Sequence, residues 1–459
     1  MENSIAFERA TTLERTTFRS IREGREHTVM ILGGSYAAIQ IAHRLLKYAR
    51  MYVQNLKVVM VWWSRILGSS MTSVSALATL QFPNPSFFEA VMRPSREAPA
   101  LTRQQNTHLY WNMASVRAII PGQTKDDDLF GNIARGFAQY ATDSFVHIIG
   151  SVEGVDPNTK TVWIDYAPRH SLEVEIERGG GTGAVERHEL KYDHLILCTG
   201  TRSTDPDMPW KNLGSTDETR EQLHITQRKV EKAKHIVVAG GGATGVEVAA
   251  ELAFEYAKAS GDKRKEIVLA TRGAHVLSGD SMSSKVEKEL AKLGVKLMTN
   301  STVEGKEFKD NKTYLTLRNG KTIETDLLLP TTGLIPNSEY LPERYKNSQG
   351  YVTVDEYFRV VGAPSVWAVG DIVSIPRASF VHTEKHATGV ALNVENALRK
   401  KDPVRVKSMA VDPLAIALGR KRGAGRAGKV SLPSYAVYWA KGRNLGMSRM
   451  PSYLNGAPW

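Results

Sequence analysis

Residues 234–252 read KHIVVAGGGATGVEVAAEL, and this stretch decides the fold. Gly240, Gly242 and Gly245 stand in full G-x-G-x-x-G register. The apolar run from Ile236 to Ala239 predicts a buried strand ahead of them, and Val246, Ala249, Ala250 and Ala253 follow at helical spacing. A strand that enters a helix through three such glycines lets the backbone approach a pyrophosphate at the helix N-terminus. The next apolar run, residues 266–270, ends at Thr271 and Arg272. A site that selects NAD offers an acid to the ribose at that point. Arg272 would instead pair with a 2′-phosphate, or else be a solvated loop arginine.

A second, weaker turn lies about 200 residues upstream. Residues 27–46 read HTVMILGGSYAAIQIAHRLL: a buried strand, a cluster of small residues, then a helix with Ile39, Ala42, Leu45 and Leu46 on one face. Only Gly33 of the three fingerprint glycines is kept; Gly34 follows it, and Ser35 and Ala38 hold the other two positions. Two such units in one chain call for two dinucleotides, and FAD with NADH or NADPH is the pairing that performs hydride chemistry.

Three further segments order the architecture. Residues 193–201, DHLILCTGT, form a short apolar strand ending in Thr199-Gly200. Residues 326–337, DLLLPTTGLIPN, repeat that pattern at Gly333, and residues 366–372, VWAVGDI, end in Gly370-Asp371. A carboxylate at a strand's C-terminal end can accept hydrogen bonds from sugar hydroxyls, while glycine lets the backbone come close. A helix over residues 384–398 would follow, its positive end aimed at the flavin.

With these segments in this order, the chain resembles the flavoproteins with two dinucleotide-binding domains. Within them it is similar to the apoptosis-inducing-factor-like branch that includes the ferroptosis suppressor and its fungal relatives. GGGATGVEVAAEL with Glu247, YWNMASVRAIIPG with Arg117 (residues 110–122), and the stretch from Ala417 through YAVYWAKGRNL carry the likeness. The resemblance implies noncovalent FAD, NADH or NADPH as donor, and a quinone-type or other small acceptor. It places Gly33, Gly34, Ser35 and Ala38 at the FAD pyrophosphate, Asp371 at the ribitol, and the Thr199-Gly200 and Gly333 strands at crossings between domains. Gly240, Gly242, Gly245 and Glu247 would serve the nicotinamide cofactor, Arg117 would be a cofactor-binding arginine, and Arg377 would lie near the flavin. Each has a plainer reading: Glu247 packs its helix, and the two arginines form ion pairs.

Bulk properties set limits. At 459 residues the chain can hold two or three cores. No apolar run approaches the roughly 20 residues that cross a bilayer. The one cysteine, Cys198, closes the disulfide-reductase route, suits a reducing cytoplasmic setting, and reads as a buried small hydrophobe. Residues 1–26 carry five arginines but also five glutamates, which argues for a solvated arm over a mitochondrial presequence. The net charge of +12 is uneven: residues 401–459 hold eleven Lys and Arg against Asp402 and Asp412. That basic region suggests peripheral contact with an anionic surface such as a membrane, or a solvated basic domain; no nucleic-acid motif accompanies it.

The expected fold is α/β, with two Rossmann-like three-layer nucleotide-binding domains, one inserted in the other, and a small C-terminal domain. The FAD domain would take residues 27–225 and 326–400, the NAD(P)H domain 226–325, and the basic domain 401–459. Residues 151–192, with a glycine loop at Gly179–Gly183, predict a β-meander. An atypical stretch, residues 64–105, interrupts the first domain and reads either as a long functional loop or as a retained intron. The expected activity is NAD(P)H:acceptor oxidoreduction; the alternatives are a flavin-dependent tailoring oxidoreductase of small-molecule biosynthesis and an NAD(P)H-sensing scaffold.

Overall fold

The computed structural model describes residues 27–63, 107–166, 186–211, 214–310, 312–373, 379–407 and 409–459. The N-terminal arm, the 64–105 stretch, the Gly179–Gly183 loop and Arg377 lie outside the described residues.

The chain opens with β1 (His27–Leu32), α1 (Tyr36–Lys47) and β2 (Leu56–Trp63). It continues with β3 (Phe145–Asp156), β4 (Thr161–Tyr166), β5 (Glu186–Lys191), β6 (His194–Leu197) and β7 (Thr201–Ser203). Then come α2 (Thr216–Lys232), β8 (His235–Ala239), α3 (Ala243–Tyr256), β9 (Glu266–Ala270), α4 (Ser283–Leu293) and β10 (Lys296–Met298). The return path uses β11 (Leu327–Pro330), β12 (Leu334–Pro336), β13 (Ala363–Ala368) and α5 (Phe380–Leu398). A terminal hairpin system, β14 (Pro413–Leu418), β15 (Arg422–Ala427) and β16 (Val430–Ser431), precedes short helical turns.

Two sheets organise these elements. In the first, β13, β6, β1, β2 and β3 lie side by side and parallel. In the second the order is β10–β9–β8–β11, again parallel. Strands buried on both faces must be apolar throughout, and Val29 to Leu32 and Ile236 to Val238 are fully buried. The meander expected over residues 151–192 is present as β3–β4–β5. Its first strand does double duty: residues 145–150 pair with β2, and residues 151–156 pair with β4, with a register shift between Val152 and Gly154.

The chain passes between the sheets twice, and the two passages pair with each other as the antiparallel strands β7 and β12. Asn337 locks them: its amide donates to the Thr199 carbonyl at 2.8 Å, and the Thr199 hydroxyl donates to the Asn337 carbonyl at 2.7 Å. α5 begins at Phe380, a turn earlier than the pattern predicts, because the Ser379 hydroxyl accepts the His382 N–H and caps it. At the chain's end, His43 on α1 is fully buried and bonds the Leu454 carbonyl at 2.7 Å, tying the C-terminal turns to the first sheet.

Candidate functional site

Both glycine turns are built around close approaches that a side chain would prevent. Gly33 sits at φ +122° and Gly240 at φ +128°, the left-handed half of the map where a Cβ is strained. A Cβ on Gly33 would overlap the Cys198 carbonyl, and one on Gly245 would overlap the Gly240 carbonyl. Gly242, by contrast, faces open space, with nothing within 4 Å of the place its Cβ would take. That leaves room for a phosphate at the N-terminus of α3.

The helices themselves point to an anion. α2 carries a full capping box, Ser215 with Glu218. α1 and α3, the helices behind the glycine turns, have no side-chain cap and no acid in their first turns. Their first amide N–H groups are left for an external acceptor. Ser35, exposed at the N-cap of α1, spends its hydroxyl on no cap, while Ala38 is buried one turn in. The donor set and the cradles fit two dinucleotide pyrophosphates. Trp62 stands near the end of β2, where a ribose-binding acid is expected, and its half-buried indole covers Gly34 so closely that a Cβ there would overlap the ring.

Gly370 and Asp371 come to the first of these turns. A Cβ on Gly370, at φ +85°, would lie 3.8 Å from both Ala37 and Thr383, so the loop touches the starts of α1 and α5 together. Asp371 is ion-paired with Lys211, a residue that no sequence motif singles out. Lys211 also donates to the Thr201 hydroxyl at 2.9 Å, which anchors the Gly370-Asp371 loop to the crossing strands. Tyr36 belongs to no motif either. Its phenol bonds Asn112 at 2.9 Å, and its ring meets Trp111, Phe380 and Tyr453 edge-on at 5.0–5.9 Å. Burial pushes the Tyr36 phenol far above its ordinary range, so it stays a neutral donor. Gly200 and Gly333, at φ +67° and +76°, turn the chain at the two crossings, and Arg272 is exposed just past β9.

One expectation is corrected. The family resemblance places Arg117 among the cofactor-binding residues, but its guanidinium is buried against α3. It grips Glu251 at 2.7 and 3.1 Å and donates to the carbonyls of Gly442 and Arg443 at 2.7 and 2.9 Å. It ties the first domain to the second and to the C-terminal turns. Glu247 also has protein partners: Lys441 at 2.6 Å and the Ala417 N–H at 2.8 Å. Glu255, another turn along, is ion-paired with Arg420. Glu247, Glu251 and Glu255 stand at i, i+4 and i+8 on one face of α3, and each takes a cation from outside the helix. That acidic stripe is visible in the sequence as E-x-x-x-E-x-x-x-E; its partners, more than 130 residues away in each case, are not.

Cys198 is buried, and desolvation pushes its thiol well above the ordinary range, which leaves it inert as a nucleophile. Among the described residues no cluster of three His, Cys, Asp or Glu is placed to hold a metal. A cleft of about 800 Å³ lined by Asn347, Val352, Phe358, Arg405 and Lys407 contains none of the residues above.

Two parallel sheets, each with a glycine turn feeding an uncapped helix, define an oxidoreductase of the two-dinucleotide α/β class. Residues 27–397 match the pyridine nucleotide-disulphide oxidoreductase family, and the chain belongs to that family, which binds FAD and NAD(P)H. Oxidoreductase ptaL of Pestalotiopsis fici is 32% identical over 94% of this chain and 99% of its own length. Ferroptosis suppressor protein 1 of Xenopus tropicalis is 29% identical over 57% of this chain and 71% of its own, in keeping with the resemblance read from the motifs. Among solved structures, the sulfide:quinone oxidoreductase of Aquifex aeolicus shares the fold with a TM-score of 0.66 at 14% identity, covering 94% of this chain and 92% of that one.

Proposed function

We propose that this oxidoreductase takes hydride from NAD(P)H and passes electrons through noncovalent FAD to a small acceptor of the quinone class. The observation that carries the reading is the pair of uncapped, glycine-fed helices in a chain with one buried cysteine. Two dinucleotides have cradles, and no second thiol exists to receive electrons. They must therefore leave to something that diffuses in. The quinone class draws on the name of the Aquifex aeolicus protein whose fold is shared.

Bound FAD supplies the ring that accepts hydride and gives up electrons. The chain's own residues hold and orient. Gly33, Gly34, Ser35 and Ala38 let the FAD pyrophosphate meet the N-terminus of α1, and Asp371, steadied by Lys211, accepts from the ribitol hydroxyls. Gly240, Gly242 and Gly245 do the same for NAD(P)H at α3, with Arg272 free to meet a 2′-phosphate. Thr199, Gly200 and Gly333 fix the crossing strands, and so the relative placement of the two sites. Glu247 anchors the nicotinamide end of α3 to the C-terminal domain through Lys441. Hydride transfer is a matter of such placement, and no acid–base triad is needed.

A second reading, an oxidoreductase of small-molecule biosynthesis, draws on the nearly end-to-end likeness to the Pestalotiopsis fici protein. The test is direct. Purified protein is expected to be yellow, and NADPH or NADH without oxygen should bleach its absorbance near about 450 nm. Stopped-flow reoxidation with short-chain quinones, ferricyanide and oxygen then ranks the acceptors. Failure of every quinone to outpace oxygen would overturn the acceptor class, and a colourless chain that no flavin reconstitutes would overturn the whole reading.

A further inference from the structure

Residues 413–459 carry eight Lys and Arg and no Asp or Glu. Five of the eight are committed to acids of the rest of the chain. Arg420 pairs with Glu255, Arg422 with Glu289, Arg426 with Asp280 and Asp412, Lys441 with Glu247, and Arg449 with Glu384. The other three, Lys421, Lys429 and Arg443, are exposed and have no acidic partner among the described residues. Lys421 and Lys429 sit in the turns at the two ends of β15.

The helical stretch from Ser434 to Gly442 has two unlike faces. Inward, Val437 is buried against β15 and Lys441 reaches Glu247. Outward, Tyr435 and Trp439 are 70% and 63% exposed one turn apart, and Val430 just ahead of them is 68% exposed. One turn further, the Arg443 guanidinium lies 4.9 Å over the Trp439 ring. Open water does not reward exposed aromatic rings. A bilayer interface does, because an indole or phenol ring can lie among the acyl chains while its polar atom stays at headgroup level. Unpaired cations around such rings complement anionic headgroups. A protein partner could cover the rings, but three cations with no acidic partner among the described residues, on a segment (413–459) that has no acid, favour a purely anionic surface.

We propose that the Tyr435–Trp439 face is a peripheral docking surface for anionic lipid bilayers. The two rings and Val430 enter the headgroup layer, and Lys421, Lys429 and Arg443 meet lipid phosphates and carboxylates. No described helix is long and apolar enough to cross a membrane, so the contact is superficial. The docking itself does not depend on the acceptor being a quinone.

The experiment is co-sedimentation of the full, flavin-loaded chain with vesicles of phosphatidylcholine alone or with phosphatidylserine added, at low and physiological salt. Binding is expected only to the phosphatidylserine vesicles, and weaker as salt rises. Lys421→Glu/Lys429→Glu/Arg443→Glu should lower partitioning about 100-fold or more, and Tyr435→Ser/Trp439→Ser about tenfold or more. Retained flavin absorbance and an unchanged melting temperature would show that both variants are folded. Brominated lipids should quench the protein's tryptophan fluorescence, and Trp439→Phe should remove most of that quenching. No sedimentation with anionic vesicles, or sedimentation that neither variant reduces, overturns the proposal. So does a dimer in solution that Tyr435→Ser/Trp439→Ser converts to monomer, which would assign the face to a second copy of the chain.

Discussion

Replacing Arg117 by methionine tests how the domains are joined. The guanidinium makes four hydrogen bonds, two to Glu251 and one each to the carbonyls of Gly442 and Arg443. The side chains of Arg117 and Glu251 are 5% and 0% exposed. Methionine fills much of the same volume but leaves Glu251 a buried carboxylate with no cation, at a cost of about 3–5 kcal/mol. The loss should depend on pH, with a sign that follows from linkage. Burial already raises the Glu251 carboxyl above its ordinary range, and Arg117 opposes that rise. Without Arg117 the folded-state value climbs further, while the unfolded value stays near about 4.3. A carboxyl raised in the folded state is protonated there and ionised in the unfolded chain. The parent loses stability in the same way up to its own raised folded value, so relative to the parent the variant loses about 1.4 kcal/mol for each pH unit between the parent's folded value and its own higher one.

The measurement is urea unfolding of the flavin-loaded protein at pH 5, 6, 7 and 8. Arg117→Met should be far less damaging at pH 5 than at pH 8. Arg117→Met/Glu251→Leu should regain most of the loss, because no charge is then stranded, although two carbonyls still lack a donor. A deficit under about 1 kcal/mol at pH 8, or an equal deficit at pH 5 and pH 8, would refute the idea that this pair is a buried joint.

Other expectations are simpler to check. Gly245→Ala would press a methyl group onto the Gly240 carbonyl, where α3 leaves its strand. It should raise KM for the nicotinamide by about tenfold or more while the protein stays yellow; loss of flavin with unchanged nicotinamide binding would contradict the assignment of the two turns. Arg272→Ala touches nothing in the fold and should leave stability within about 0.5 kcal/mol. It should erase any preference for NADPH over NADH; equal changes in both KM values would show that Arg272 does not read the 2′-phosphate. His43, His194 and His386 are each lowered by burial from 6.5 to about 4. All three protonate more readily unfolded, so stability is full above pH 6.5 and falls as pH drops toward 4. Acid titration of the melting temperature should show proton uptake on unfolding in that window, reduced in His43→Gln.

What could be read from residues alone follows a physical division. Gly33 and Gly240 answer a local requirement, a positive φ that any side chain would strain, and Gly245 packs on Gly240 five residues back, so spacing records all three. The apolar strands are equally local, since a strand covered on both faces has to be apolar along its length. Arg117 defeats such reading for the opposite reason. Its role depends on Glu251, 134 residues away, and no local pattern distinguishes an arginine that holds a cofactor from one that holds a helix. Lys211 and Tyr36 are silent in the sequence for the same cause: Lys211 meets Asp371 across 160 residues and Tyr36 meets Asn112 across 76.

One signal lies between these cases. α2, which serves only the scaffold, is closed by Ser215 and Glu218, whereas α1 and α3 begin without a cap or an acid. The lack of acids in those first turns is written in the residues beside each glycine turn, so this signal too is local. A helix start that omits worthwhile capping, commonly about 1 kcal/mol, is stable only if something else accepts its N–H groups. At α1 and α3 the scaffold supplies no side-chain acceptor. α4 also begins without a side-chain cap or a first-turn acid, so an uncapped start points to a phosphate only where a glycine turn brings the backbone close, as it does at α1 and α3.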